Sequence, residues 1–195
     1  MTKTLAEIIW VVGIIGWYVI RHPFVRRSKK TAVKTSLMDL REWVLLVSAS
    51  LGLSVIPLIY VIADEPRIFE RPFAQWPAWL GTAVMIGALW LFRRSHKDLG
   101  RNWSATLKLR EQHGLVTGGV YSQVRHPMYS SFFLLGVAQL LLLPNWFAGA
   151  VGLIGAALLF VFRIQREEAM MLESFGDDYR AYMARTARII PRVFI

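Results

Sequence analysis

The sequence predicts an all-α protein, a polytopic transmembrane helix bundle of about five spans, and three observations carry that prediction. Of the 195 residues, 55% are hydrophobic, with a mean hydropathy of +0.41. Ordinary soluble domains sit nearer 45–50% apolar even with glycine counted. The apolar residues are also clustered: 77–92 and 129–162 contain no Asp, Glu, Lys or Arg. Finally, the basic residues concentrate in alternate connections between the apolar runs, as an odd number of crossings demands.

A spanning helix needs about 20 mainly apolar residues, and five runs qualify: about 5–20, 43–62, 77–92, 129–143 and 146–162. The first follows Lys3 and ends at Arg21-His22-Pro23 without a small-residue cleavage pattern, so it reads as a span and not as a removable leader. The last two come from the 34-residue uncharged stretch 129–162, too long for one straight crossing. Pro144 and Asn145 divide it, because proline removes a helix donor and asparagine favours turns. The first, third and fourth runs are short, which limits tilt. Trp10, Trp17, Trp43, Trp76, Trp79, Trp90 and Trp146 mostly fall near span ends, where indole rings favour the interface.

The loops 21–42 and 93–128 hold seven Lys/Arg each and the tail 163–195 holds six. The connection 63–76 holds two against three acids, and the turn at Pro144–Asn145 holds none. The positive-inside rule then puts the N-terminus outside and the C-terminus in the cytoplasm. The formal charge of +10 is thereby a matter of topology. No aromatic-basic motif points to nucleic acid. With no cysteine, a disulfide framework, a thiolate metal site and a cysteine nucleophile are all excluded. The chain reads as a single membrane domain, 1–195. Its polar stretches 93–128 and 163–195 are too long for simple turns and together can build a pocket on the cytoplasmic side.

Three clusters can carry chemistry. Arg125-His126-Pro127-Met128-Tyr129 stands where a polar loop enters the fourth span. Pro127 suits a first helical turn, whose free N–H groups can receive an anionic or dipolar ligand. An interfacial cap facing headgroups explains the same residues equally well. Arg163, Glu167 and Glu168 stand at the mouth of the fifth span. Arg163 and Glu167, four apart, share a helix face, and Glu168 is turned about 100° away. Charges there should face the bundle or water, although an ordinary helix-end salt bridge has the same spacing. The loop 111–121 is glycine-rich, permitting close backbone approach, but it is not a dinucleotide fingerprint. His96, His113 and His126 could in principle meet around a metal.

These motifs resemble the isoprenylcysteine carboxyl methyltransferase family. The likeness is carried by His96-Lys97-Asp98-Leu99-Gly100-Arg101-Asn102-Trp103-Ser104, by Gly119-Val120-Tyr121 leading to Arg125-His126-Pro127-Met128-Tyr129, by Arg163 to Glu168, and by Phe175-Gly176-Asp177-Asp178-Tyr179 with Tyr182. It covers about 93–192 and is similar to the short prokaryotic five-span members. The combination is shared with phospholipid N-methyltransferases and, in part, with membrane sterol reductases. The resemblance implies S-adenosyl-L-methionine (SAM) as methyl donor, no metal, and a cofactor-binding and catalytic half at 93–195 facing the cytoplasm. Carried over by residue, His113, Leu115 and Val116 would line the adenosine region. Tyr121, Arg125, His126, Pro127 and Tyr129 would hold the cofactor, with Glu168 a further contact. Arg163 and Glu167 would face the acceptor, Arg163 binding its carboxylate and Glu167 orienting Arg163. The implied substrate is the carboxylate of a prenylated cysteine or a similar lipophilic acid entering from the bilayer. Beyond membrane lipids, no obligatory protein partner is expected. Three other readings stay open on the residues alone: an amine N-methyltransferase on the same scaffold with Glu167 as base, an NADPH-dependent reductase, and a non-enzymatic membrane protein.

Overall fold

The computed structural model describes residues 1–28, 33–36, 39–64, 66–103, 108–110 and 114–192. Helical segments occupy all five apolar runs. Helix α1 covers Lys3–Ser28. Helix α2 (Leu40–Ser50) continues through a π turn (Leu51–Val55) into α3 (Ile56–Ala63). Helix α4 covers Gln75–Leu99, α5 Pro127–Leu142 and α6 Trp146–Arg185. By length and hydropathy, three helices are able to cross a membrane: Lys3–Ser28, Leu40–Ala63 and Trp146–Arg185. Pro127–Leu142 is apolar but shorter. The protein is an integral membrane protein.

Two expectations about element ends change. Helix α1 does not stop at Arg21-His22-Pro23 but runs through Pro23 to Ser28, and α6 continues far past residue 162, kinking only at Gly176, which has φ of 50°. A left-handed φ at no steric cost is what glycine supplies there. An antiparallel ribbon, β1 (Val33–Ser36) with β2 (Lys108–Arg110), also joins the two basic loops, an addition to the all-α expectation.

Helix α4 packs against α1 and α5, α5 against α6, and α6 against α2 and the π turn. Without a hydrophobic driving force between helices in lipid, close approach relies on small residues and buried polar links. Both are present. A Cβ added at Gly52 would lie 2.5 Å from the Val151 carbonyl oxygen, and one at Gly136 would lie 2.8 Å from Leu153 Cα. Buried Gln139 donates from Nε2 to the carbonyls of Gly52 (3.1 Å) and Ala148 (2.7 Å), stitching α5 to both neighbours. The outward surface stays apolar, with Ile15, Val19, Ile59, Ile62, Ile86 and Val161 all exposed, as a lipid-facing surface requires.

Pro144 and Asn145 make the expected tight turn. Asn145 Oδ1 accepts from Ala148 N at 2.9 Å and so caps α6. Of the tryptophans read as interface anchors, Trp43, Trp76, Trp79, Trp90 and Trp146 are exposed. Trp10 is instead fully buried in the core and Trp17 lines a cavity, because both lie on the side of α1 that meets α4 and the bundle interior.

Candidate active site

The C-terminal half of α1, the second half of α2 with the π turn that follows it, the last turn of α4, the start of α5 and the middle of α6 meet on one side of the bundle. They enclose a cavity of about 240 Å³. Leu115, Val116, Tyr121, Arg125, His126, Pro127, Tyr129, Arg163 and Glu167 all line it, so residues from a loop, a helix start and a distant helix converge as the motifs suggest. His113 lies outside the described residues.

The local fold explains the convergence. Gly119, at φ +60°, opens a 3-10 turn (Gly119–Ser122), and the turn is pinned by Val120 N donating to Asp98 Oδ2 at 3.0 Å. Tyr121 is thereby buried. Tyr182 Oη donates to its carbonyl at 2.5 Å, and burial pushes the Tyr121 phenol well above its ordinary pKa. The chain then pairs with the tail: Arg125 N donates to Ala187 O at 2.8 Å and His126 N to Arg188 O at 2.9 Å. Pro127 opens α5, where its missing N–H costs nothing.

Two carboxylates organise the charges. Glu168 accepts from Arg125 Nη2 at 2.9 Å and Arg188 Nη2 at 2.9 Å, and its Oε1 lies 3.3 Å from His126 Nε2. Arg125 in turn donates to the carbonyls of Met183 (3.2 Å) and Thr186. Glu168 is absent from the cavity wall. Its carboxylate clamps the tail onto the Arg125–His126 segment from behind. Glu167, on the cavity side, accepts from Tyr129 Oη at 2.9 Å, and its Oε1 lies 3.8 Å from His126 Nδ1. Burial pulls the His126 imidazole toward neutrality, yet hydrogen bonding and charge from Glu167 and Glu168 outweigh it and raise its pKa above the ordinary value.

Arg163 has a partner that the sequence did not suggest. Its Nε lies 3.0 Å from Oε1 of Glu42, a fully buried carboxylate in the first turn of α2. Glu167 and Tyr129 also act on it electrostatically. Beside this pair Arg166 meets Asp39 at 2.9 Å and Arg41 donates to Phe162 O at 3.0 Å, so the start of α2 is tied to the middle of α6. The sequence reading also missed Arg21, Trp103, Met170 and Tyr179 on the cavity wall, and Arg188 behind it. The only signal for Arg21 and Glu42 was a charge at the edge of an apolar run. His96 is spent on packing: its Nδ1 lies 2.8 Å from Phe92 O and its ring packs against Phe92 and Trp103. Among the described residues no group of three His, Asp or Glu side chains is arranged to hold a metal.

The walls differ from end to end. Leu115, Val116, Met170, Tyr179 and Tyr182 form a mixed aromatic and aliphatic face near the loop and tail. Leu46, Ala49, Leu53, Phe132 and Leu159 form an apolar extension between the helices. Arg163, Glu167 and Tyr129 line the same cavity, and Tyr129 packs into the apolar cluster of Leu46, Ala49, Phe132 and Leu159.

The sequence model of the isoprenylcysteine carboxyl methyltransferase family matches residues 78–173, the stretch that holds α4, the Arg125–Tyr129 segment and the Arg163–Glu168 cluster. Over that stretch, a little under half of its length, the chain is similar to the isoprenylcysteine carboxyl methyltransferase family. Among its relatives, the protein-S-isoprenylcysteine O-methyltransferase of Schizosaccharomyces pombe is 35% identical over 86 residues, 44% of this chain and 36% of that protein. Protein-S-isoprenylcysteine O-methyltransferase B of Arabidopsis thaliana is 28% identical over 155 residues, 76% of this chain and 77% of that one. Protein A of the same plant is 33% identical over 96 residues, covering 48% and 49%. The chain thus spans little more than a third of one such relative and about half of another. A solved structure of the eukaryotic intramembrane Ras methyltransferase, an isoprenylcysteine carboxyl methyltransferase, superposes with a TM-score of 0.55 at 22% identity, over 80% of this chain and 55% of that one. That likeness establishes a shared fold with a structurally characterised family member.

Proposed function

We propose that this protein is a SAM-dependent methyltransferase that methyl-esterifies the carboxylate of a prenylated cysteine or a similar lipophilic acid, on the cytoplasmic side of the membrane. The observation that supports this best is the position of Arg163. A buried guanidinium, paired with Glu42 and acted on by Glu167, shares one cavity with the apolar side chains of Leu46, Leu53, Phe132 and Leu159.

The residues suit SAM. Leu115, Val116, Met170 and Tyr179 offer apolar and aromatic surface for a purine, and Tyr121, His126 and Pro127 bring backbone and ring polarity to the remainder. When bound, SAM supplies an already electrophilic methyl group on a sulfonium. The chain's own task is to bind, orient and exclude water. Arg163 receives the acceptor carboxylate. Glu42 and Glu167 hold the guanidinium in place, and Tyr129 fixes Glu167. A carboxylate is ionised at neutral pH, with a pKa of about 3.5 for a chain terminus, so no base has to remove a proton. Orientation of this kind can contribute up to ~7–11 kcal/mol in favourable cases. The apolar walls Leu46, Leu53, Phe132 and Leu159 receive the lipid chain. Among the described residues α1 and α2 make few direct contacts at most, so the side of the cavity between them is suited to entry from the bilayer. The N-terminus outside and the site in the cytoplasm follow from the loop charges, and 93–195 supplies the cofactor side.

The test is methyl transfer from labelled SAM to an S-farnesylcysteine analogue by detergent-purified wild type, Arg163→Ala and Glu167→Ala. Loss of turnover in both variants with retained SAM binding is expected. Near-wild-type turnover in both would sink the assignment.

A further inference from the structure

A second arginine, Arg21 on α1, also lines the cavity. Arg21, in the last third of α1, stacks against Trp17 one turn earlier and against Trp103 from the segment after α4. Its guanidinium carbon lies 5.5 Å from each ring centroid. Stacking engages the face of a guanidinium and leaves its N–H edge free to donate. The other arginines around the site are matched: Arg163 by Glu42, Arg125 and Arg188 by Glu168, and Arg166 by Asp39. Among the described residues no carboxylate forms an ion pair with Arg21. Its neighbour in charge is Arg163, whose positive field acts on it directly.

Two like charges directed at one half-buried cavity repel each other, and in low dielectric that repulsion is large unless an anion lies between them. SAM does not relieve it, since a sulfonium and an ammonium against one carboxylate leave one net positive charge. Glu42 and Glu167 already offset Arg163, so the charge left without an ion-pair partner among the described residues is that of Arg21, and a carboxylate acceptor would supply one. We propose that Arg21 is a second binding residue for the acceptor's carboxylate, acting with Arg163 in the same cavity, and that this pair is what selects an acid over an amine. Arg163 sets the carboxylate's position from α6, where its neighbours fix it. Arg21, held by two indoles, contributes chiefly to affinity and selectivity. This inference rests on the carboxyl methyltransferase reading above.

The experiment compares wild type with Arg21→Gln and Arg21→Lys in detergent. It records methyl transfer against acceptor concentration, SAM binding by calorimetry, and inhibition by the carboxamide analogue of the same farnesylcysteine. For Arg21→Gln the acceptor KM should rise about ten- to a hundredfold, the loss expected for one charge-assisted contact, and SAM affinity should change by less than about threefold. The preference for the acid over the carboxamide should shrink by the same factor. Arg21→Lys should recover part of it, which a merely packing role for the side chain would not give. Weakened SAM binding with an unchanged acceptor KM would assign Arg21 to the donor's carboxylate and overturn the proposal, as would no change in either. Thermal unfolding of each variant separates a folding defect, with the lysine variant, which keeps the charge, as the second readout. A wild type that methylates no acid at all would defeat the parent reading, and this inference with it. An active wild type with an indifferent Arg21→Gln would defeat this inference alone.

Discussion

Arg163 Nε lies 3.0 Å from Glu42 Oε1, an ion pair that joins the middle of α6 to the first turn of α2 across 121 positions of sequence. Glu42 is almost fully buried, so the pair holds the guanidinium from the side away from the cavity. Glu42→Ala should leave Arg163 partly uncompensated. For a broken buried pair the usual loss is about 3–5 kcal/mol. Unfolding in detergent should show a loss of that order, and Glu42→Gln, which keeps the shape, should lose less stability but still lower kcat. A Glu42→Gln enzyme with unchanged kcat would mean that Glu167 and Tyr129 orient Arg163 unaided.

Tyr129 Oη donates to Glu167 Oε2 at 2.9 Å. Removing a hydrogen bond to a charged group costs about 1.5–3 kcal/mol, so Tyr129→Phe should lower kcat by about tenfold or more, with a smaller effect on the KM for SAM. Steady-state kinetics with both substrates varied would check this. An effect confined to stability would reduce Tyr129 to packing.

Glu168 gathers Arg125, Arg188 and His126 onto one carboxylate. Glu168→Ala should release the tail and weaken both stability and SAM binding. Arg188→Ala, with its side chain about half exposed, should cost far less. Limited proteolysis after Arg180 or Arg185 would report tail release directly. Equal resistance in wild type and Glu168→Ala would contradict the clamp.

His126 carries a pH dependence with a definite sign. Burial acts to lower its pKa, but hydrogen bonds and charge from Glu167 and Glu168 overcome it, and the folded value stands above the ordinary 6.5. A raised folded pKa contributes stability that is fully present below 6.5 and is lost as pH rises through the folded value. Wild type should therefore lose melting temperature across that window on the alkaline side of 6.5, and His126→Gln should not. Parallel curves for the two proteins would remove His126 from the account.

Gly119 combines a φ of +60° with a site where any added Cβ would collide with the Asp98 carboxylate. Gly119→Ala should displace Asp98, free Val120 N, and disorder the turn that carries Tyr121. A loss of about 1–3 kcal/mol is expected from backbone strain alone, measurable as a lower melting temperature together with weaker SAM binding. Wild-type behaviour would show that the turn has room to relax.

Much of this was legible in the sequence, in a way that particular residues explain. Uncharged runs located the helical stretches of the bundle, three of them long and apolar enough to cross a membrane, because bilayer physics acts on each run by itself. The Arg125–Tyr129 and Arg163–Glu168 clusters stood out because their members are neighbours on one loop or one helix face. Glu42 and Arg21 did not, since each lies alone at the edge of an apolar run and meets its partners only when separate helices pack. Arg188 was equally hidden, because its role depends on the tail folding back beside Val124–His126. Helices α1 and α6 run past their apolar runs to Ser28 and Arg185, because charge limits an apolar run while a helix supported by tertiary contacts continues beyond it.

The central claim is tested most directly by following labelled methyl from SAM in purified wild-type protein offered an S-farnesylcysteine acid beside phosphatidylethanolamine. The account predicts label in a base-labile ester, released as methanol by alkali, and none in lipid amine. Label in the amine, or no transfer to the acid at saturating SAM, would contradict it.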